Sequence, residues 1–245
     1  MLSSLSSKTA LVTGGAVRVG RAISLALAGE GMRVVVHYNS SSGDADALVD
    51  EIRRGGGEAV AIGADLSRPD EVRRLADEAA GAFAGIDVLV NNASVFPPER
   101  LEETDEALWD HTMAVNLRAP FLLIRHLAPV LRERGGTVVN LCDLAGLQPW
   151  AAYAAHGVSK AGLVHLTKVA ARSLAPEVRV NGIAPGAVLP PESLGEEELA
   201  ALARTTPLRR IGSPGDVVRA VLYLLQADYV TGEILVVDGG RMLRG

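Results

Sequence analysis

The chain has 245 residues, 48% of them hydrophobic, which is enough for one buried core and too apolar for a disordered segment. A formal net charge of −5 without any basic block excludes an electrostatic case for nucleic acid or an anionic membrane surface. The single cysteine, Cys142, rules out an intramolecular disulfide, and neither a long apolar span nor an apolar signal core is present, so a soluble cytoplasmic protein is expected.

Ala10–Thr13 reads as a short buried strand that runs into Gly14-Gly15-Ala16-Val17-Arg18-Val19-Gly20. A helical pattern follows, with Val19, Ile23 and Leu27 on one face, and it ends at Gly29 and Gly31. A strand, a glycine-rich turn and a helix N-terminus together form a pyrophosphate cradle, although glycines alone would serve a structural turn equally well. The second strand, Arg33–Val36, ends in His37-Tyr38-Asn39-Ser40-Ser41. A free ribose 2′-OH usually meets a carboxylate at this point. None comes before Asp44, and Asn39, Ser40 and Ser41 suit a 2′-phosphate, which favours NADPH; the alternative is an ordinary polar turn.

Asp46–Arg54 is a helix stopped by Gly55-Gly56-Gly57, and Ala59–Ile62 is a strand. Asp65 or Ser67 then caps a helix opening at Pro69 or Asp70, whose Val72, Leu75, Ala79 and Phe83 face the core. Asp87–Val90 is the fourth strand, followed by Asn91-Asn92-Ala93-Ser94-Val95-Phe96 and then Pro97-Pro98. Thr104 is placed to cap a helix with Asp105 and Glu106 in its first turn. The continuation, Met113–Leu131, is apolar on more than one face, which suggests burial by a second subunit as well as by the sheet. Asn116 is a poor helix former inside it. His111 and His126 have no ligand-like partners, and no metal spacing occurs, so no metal is expected.

The stretch Asn140–Lys160 concentrates the chemistry. It begins where the strand Thr137–Leu141 ends; Asp143 lies just beyond, and His156 and Lys160, four apart, share a helix face. An acid, an imidazole and an ammonium therefore converge at the carboxyl end of a strand, where open α/β sheets bind ligands. Cys142 is read as a small buried hydrophobe. Tyr153, seven residues before Lys160, is expected off its face. The helix continues through Ala161–Leu174, and a strand at Arg179–Ile183 leads to Pro185-Gly186. A loop, Ala187–Pro207, a helix opening at Ser213 or Pro214, and a strand at Ile234–Val237 complete the order. Strands and helices alternate throughout, which predicts one domain over residues 1–245: a doubly wound parallel sheet of about seven strands.

The glycine-rich turn, Asn91-Asn92-Ala93, Asn116, Lys160, Pro185-Gly186 and Asp238-Gly239-Gly240 make the chain resemble the short-chain dehydrogenase/reductase family over essentially its whole length. That resemblance implies a Rossmann fold, a homotetramer paired through its long helices, and an NADPH site built from Gly14, Arg18, Val19, Gly20, His37, Asn39, Ser40, Ser41, Asp65, Leu66, Asn92, Ala93, Ser94, Lys160, Pro185 and Gly186. It implies catalysis by Asn116, Asp143, His156 and Lys160. The chain departs from the family where Arg18 replaces a glycine, Asp143 stands where a serine is usual and His156 where a tyrosine is usual, and it lacks the threonine often found two residues after Gly186. Arg18, Ser94, Phe96 and Asp143 resemble the pteridine reductase branch, where the phenylalanine stacks on a bicyclic pterin; here Phe96 either does so or plugs the loop before Pro97. A substrate site of Arg18, Ser94, Phe96, Asp143, Trp150 and His156 follows, and the expected reaction is NADPH-dependent reduction of a 7,8-dihydropterin or dihydrofolate. His156 is expected to hold or relay a proton in the tyrosine's place. The rival readings are a general carbonyl reductase, on 3-oxoacyl thioesters or sugars, and a non-catalytic NADPH-binding sensor.

Overall fold

The structure is a computed structural model that describes residues 4–189 and 195–243. Its strands are β1 (Thr9–Val12), β2 (Arg33–Tyr38), β3 (Ala59–Gly63), β4 (Val88–Asn91), β5 (Thr137–Leu141), β6 (Arg179–Pro185) and β7 (Ile234–Val237). They form one sheet in the order β3-β2-β1-β4-β5-β6-β7, and every neighbouring pair is parallel. The helices are α1 (Arg18–Gly29), α2 (Ser42–Arg54), α3 (Pro69–Ala82), α4 (Glu106–Met113), α5 (Ala119–Glu133), α6 (Ala154–Leu174), α7 (Glu196–Arg204) and α8 (Pro214–Gln226). This is the doubly wound α/β fold expected from the alternation of apolar runs.

The strands at the centre, β1, β4 and β5, are buried at every residue. Their apolar runs are continuous rather than alternating because helices cover both faces. On one face Ile23 and Leu27 of α1, Leu48 of α2 and Val221 of α8 pack on Val12, Val36 and Val90. On the other, Leu75 of α3, Leu123 and Leu127 of α5 and Ala170 of α6 pack on Leu11, Leu89 and Val138. Strand order reverses between β1 and β4, so the segments leaving their carboxyl ends part and open a crevice there. The glycine turn, Asn91–Phe96 and Asp143 all emerge at this edge.

Several local expectations are corrected. β2 runs on through Tyr38, since His37 and Tyr38 stay in register with Ile62 and Gly63 of β3. Neither Asp65 nor Ser67 caps α3: Asp65 Oδ1 instead accepts the Ser67 N–H at 2.8 Å in a turn of its own, and these bonds from Ser67 hold its carboxyl below the usual value. The N-cap is Arg68, which bonds through no side chain, and Pro69 brings no N–H that needs a partner. Asp105, not Thr104, caps α4 by accepting the Leu108 N–H at 2.7 Å, while the Thr104 hydroxyl turns back to the Arg100 carbonyl. The long helix over Met113–Leu131 is interrupted by a π-turn, Ala114–Arg118, with Asn116 at its centre. Within the expected substrate loop, 190–194 lies outside the described residues. No helix among the described residues is long and apolar enough to cross a membrane.

Candidate functional site

The glycine turn is held by side chains from three strand ends. Gly14 sits at φ +58°, and its N–H donates to His37 Nδ1 at 3.0 Å. The Asn92 amide donates to the carbonyls of Thr13 and Gly14 at 2.9 and 3.0 Å, and Thr13 Oγ accepts the N–H groups of Asn92 and Ala93. Gly20 packs so closely that a Cβ there would lie 2.0 Å from the Gly14 carbonyl oxygen. Arg18, which replaces a family glycine, is itself in the left-handed region at φ +53°. Its side chain does not hang free beside the turn; the guanidinium donates to the Leu189 carbonyl at 2.6 Å.

This turn borders a cavity of about 350 Å³ that also takes in Val19, Asn39, Ser40, Ser41, Asp65, Leu66, Ala93 and Ser94, so most residues expected at a dinucleotide converge there. The cradle is open enough for a pyrophosphate at the start of α1, where no side chain caps the helix. His37 lines this cavity too, and its ring is engaged in holding the turn. It is buried, with Nδ1 accepting from Gly14 and Nε2 therefore donating to the Ala64 carbonyl at 3.0 Å, so neither nitrogen is left for a phosphate. Burial drives its pKa down to about 4, against a small opposing effect of the Ala64 carbonyl, and it stays neutral. His111, not expected at the site, lines the same cavity from α4.

A second cavity of about 610 Å³ adjoins the first, sharing Arg18 and Val19. Phe96, Asp143, Trp150, Pro185 and Gly186 line it as the sequence suggests, and Tyr153 and Arg241 join them unannounced. Tyr153 lies just before α6, and its ring stacks on Phe96 with centroids 4.3 Å apart. Tyr153 reaches the cavity wall from the N-cap position, outside the helix that carries the buried Lys160. One face of Phe96 is thus already covered, and the ring remains 48% exposed. Arg241, in a short 3₁₀ turn near the end of the chain, carries no comparable signal in its sequence surroundings.

Behind this wall lies the polar cluster. Asn116 Oδ1 accepts from Ser94 Oγ and the Val95 N–H, and its amide donates to the Val95 carbonyl and Ser159 Oγ at 2.9 and 3.1 Å. His156 is buried at 2% exposure and points Nδ1 at the same Val95 carbonyl, 3.1 Å away. The carbonyl only accepts, so this contact calls for a hydrogen on Nδ1, whereas the Asn116 amide nitrogen, 3.4 Å from the same Nδ1, would call for a lone pair; the carbonyl contact is the shorter of the two. His156 Nε2 then has no hydrogen-bond partner and faces Asp143 Oδ2 at 3.7 Å, within ion-pair reach but beyond a hydrogen bond. Asp143 Oδ1 accepts the Ala145 N–H at 2.8 Å. Lys160 is also buried; its ammonium donates to the Leu141 carbonyl at 2.7 Å, and burial lowers its pKa. Asn116, His156 and Lys160 contribute to neither cavity wall, and only Asp143 of the four expected catalytic residues does so. Burial lifts the Cys142 thiol to about 11, in keeping with its reading as a packing residue. Among the described residues no group of His, Cys, Asp and Glu is placed to hold a metal ion.

A family model described as enoyl-(acyl carrier protein) reductase matches residues 15–241. A 3-oxoacyl-[acyl-carrier-protein] reductase of Staphylococcus epidermidis is 37% identical, covering 97% of this chain and 100% of the relative. The chain belongs to the short-chain dehydrogenase/reductase family. Among solved structures, a dehydrogenase/reductase from Sinorhizobium meliloti superposes with a TM-score of 0.90 at 37% identity, covering 97% of both chains. A blue fluorescent protein from a metagenomic library, in complex with NADPH, superposes at 0.91 and 33% identity, covering 98% of this chain and 99% of that one. These relatives back the carbonyl-reductase alternative over the pteridine reductase branch suggested by Phe96 and Asp143.

Proposed function

We propose that this chain is an NADPH-dependent reductase of small carbonyl compounds, with the ketone of a 3-oxoacyl thioester as the leading substrate class. The relative in complex with NADPH and the polar, carboxylate-free rim of Asn39, Ser40 and Ser41 support the cofactor. The names of the sequence relatives support the substrate class. When bound, the reduced cofactor supplies the hydride. The chain must then supply one proton to the carbonyl oxygen.

The observation that carries the proposal is the Asp143–His156 pair at the cavity edge. With Nδ1–H given to Val95, Nε2 is the ring nitrogen left facing Asp143 Oδ2. The imidazole and the carboxylate, 3.7 Å apart, make a proton-handling pair at the cavity edge. Asp143, on the cavity wall, hands a proton from this pair to the substrate oxygen, and the pair is reprotonated from solvent. A lone carboxylate would be a poor neighbour for an oxygen gaining negative charge, and pairing with His156 removes that objection. In this arrangement Asp143 is the catalytic acid and His156 a positioning residue. Asn116 holds the Val95 carbonyl that accepts from His156, and the Lys160 ammonium adds positive potential behind the site.

A second reading, reduction of a 7,8-dihydropterin or dihydrofolate, is favoured by the aromatic wall of Phe96, Tyr153 and Trp150, whose faces suit a flat ring. The test is NADPH consumption with an acetoacetyl thioester, simple ketones, 7,8-dihydrobiopterin and dihydrofolate. Turnover of the thioester is expected, together with a fall of about 100-fold or more in kcat for Asp143→Asn, the usual weight of a general acid. Turnover of the pterins alone would transfer the assignment to the second reading. Tight NADPH binding with no turnover of any compound would leave a sensor.

A further inference from the structure

We infer that Arg241 is a specificity residue that selects substrates carrying a carboxylate or phosphate, and that it does so from the wall of the cavity it shares with Asp143. The inference rests on the reductase reading above and adds the charge of the substrate. The cavity beside Phe96 and Trp150 is lined mainly by apolar groups, yet it has two guanidinium groups, Arg18 and Arg241, against the single carboxylate of Asp143. Arg18 spends part of its donor capacity on the Leu189 carbonyl. Arg241 has no carboxylate partner among the described residues; its guanidinium lies over the Trp150 ring, 5.6 Å from the centroid.

Placement of that guanidinium is not left to a loose tail. Asp238 Oδ1 accepts the Gly240 N–H and Oδ2 the Met242 N–H, both at 2.7 Å, so one carboxylate folds the backbone on both sides of Arg241 into a turn. Trp150 then supports the planar group through its face, a contact that orients a guanidinium while leaving its N–H edge free. A fixed donor edge of this kind matches a carboxylate or phosphate, which accepts two parallel bonds. If Asp143 protonates the reacting oxygen, a substrate filling the cavity presents its remaining groups to Arg241. A 3-oxoacyl group on a phosphorylated carrier and a pterin with a carboxylate tail both satisfy that demand, so anionic charge is what the two share.

Two matched pairs test it on the whole chain loaded with NADP. One compares acetoacetyl-coenzyme A with its neutral N-acetylcysteamine thioester; the other compares dihydrofolate with neutral 7,8-dihydrobiopterin. Dissociation constants are taken by titration for the parent, Arg241→Gln and Arg241→Lys. The parent should prefer the anionic member of at least one pair by about tenfold or more, as for a hydrogen bond to a charged group. That preference should vanish in Arg241→Gln, persist in part in Arg241→Lys, and weaken with added salt. The pair that shows it separates the phosphate source from the carboxylate source. Equal binding within both pairs, or a preference that survives in Arg241→Gln, overturns the inference while leaving the reductase reading intact if turnover is seen. Failure to bind any of the four overturns both.

Discussion

The two ends of the cleft are built on opposite principles. At the glycine-turn end, Gly14, Thr13, His37 and Asn92 are tied to one another by hydrogen bonds that leave few polar groups free. At the aromatic end, ring faces do the packing, and the central histidine keeps one nitrogen without a hydrogen-bond partner. A fully paired network specifies one backbone geometry, and substitutions there act on the fold and on ligand binding together. An end walled by rings and one unsatisfied nitrogen tolerates side-chain change, and substitutions there act on substrate choice and proton delivery. The same sheet edge therefore holds a rigid half and a chemically adjustable half.

The sharpest way to break this comparison is Gly20→Ala. Its Cβ would meet the Gly14 carbonyl oxygen at 2.0 Å and the Asn92 amide nitrogen at 2.6 Å, and the first of these is backbone that cannot swing aside. Relief requires the whole turn to move, at a cost of about 3 kcal/mol or more. The expected result is NADPH binding weakened by about 100-fold or more, with a lowered Tm, measured by titration and thermal melting. A variant that binds like the parent would show that the turn is not rigid.

His37 offers a second, smaller lever through pH. Its folded pKa, about 4, lies below the ordinary value of 6.5, so the unfolded chain binds the extra proton first. Stability from the neutral ring is therefore complete above about pH 6.5 and is lost as pH falls toward about 4, with a ceiling of ~3 kcal/mol. Protonation also places an N–H on Nδ1, where Gly14 needs an acceptor. NADPH affinity and Tm should fall together across that window in the parent. In His37→Gln both should start lower and lose that titration. A parent whose NADPH affinity is flat from pH 7 to about 4.5 would detach His37 from the turn.

How far each half could be read from sequence follows from the same contrast. The rigid half consists of short segments, each leaving its own strand, so local spacing together with the family resemblance brought Gly14, Gly20, Asn39 and Asn92 to the cavity they line. His37 was placed at this cavity, but its part in bracing the turn was not, because its two partners, Gly14 and Ala64, lie 23 and 27 residues away. The adjustable half depends on tertiary placement. His156 and Lys160 share a helix face as their spacing requires, but both turn inward, and only Asp143 reaches the cavity wall. Arg241 is brought there by Asp238 from the far end of the chain. The doubly wound fold needed only the alternation of apolar runs, whereas the π-turn around Asn116 left no mark in periodicity.

The smallest expected effect, and the finest test of the adjustable half, is Phe96→Ala. Phe96 is half exposed, stacks on Tyr153 at an interplanar angle of 17°, and meets the edge of His156 with centroids 4.4 Å apart. Deleting the ring removes a stacking surface worth on the order of 1 kcal/mol beyond its area, which is about fivefold in KM. NADPH affinity should stay within about twofold, since Phe96 lies outside the glycine-turn cavity. The ring also shields His156 from the cavity, so its loss should let water reach the Asp143–His156 pair. A larger fall in kcat than in NADPH affinity, with a shifted pH profile for kcat, is the signature of that shielding. If KM and the pH profile both stay at parental values, Phe96 only fills the loop before Pro97, and the aromatic wall loses its part in substrate choice.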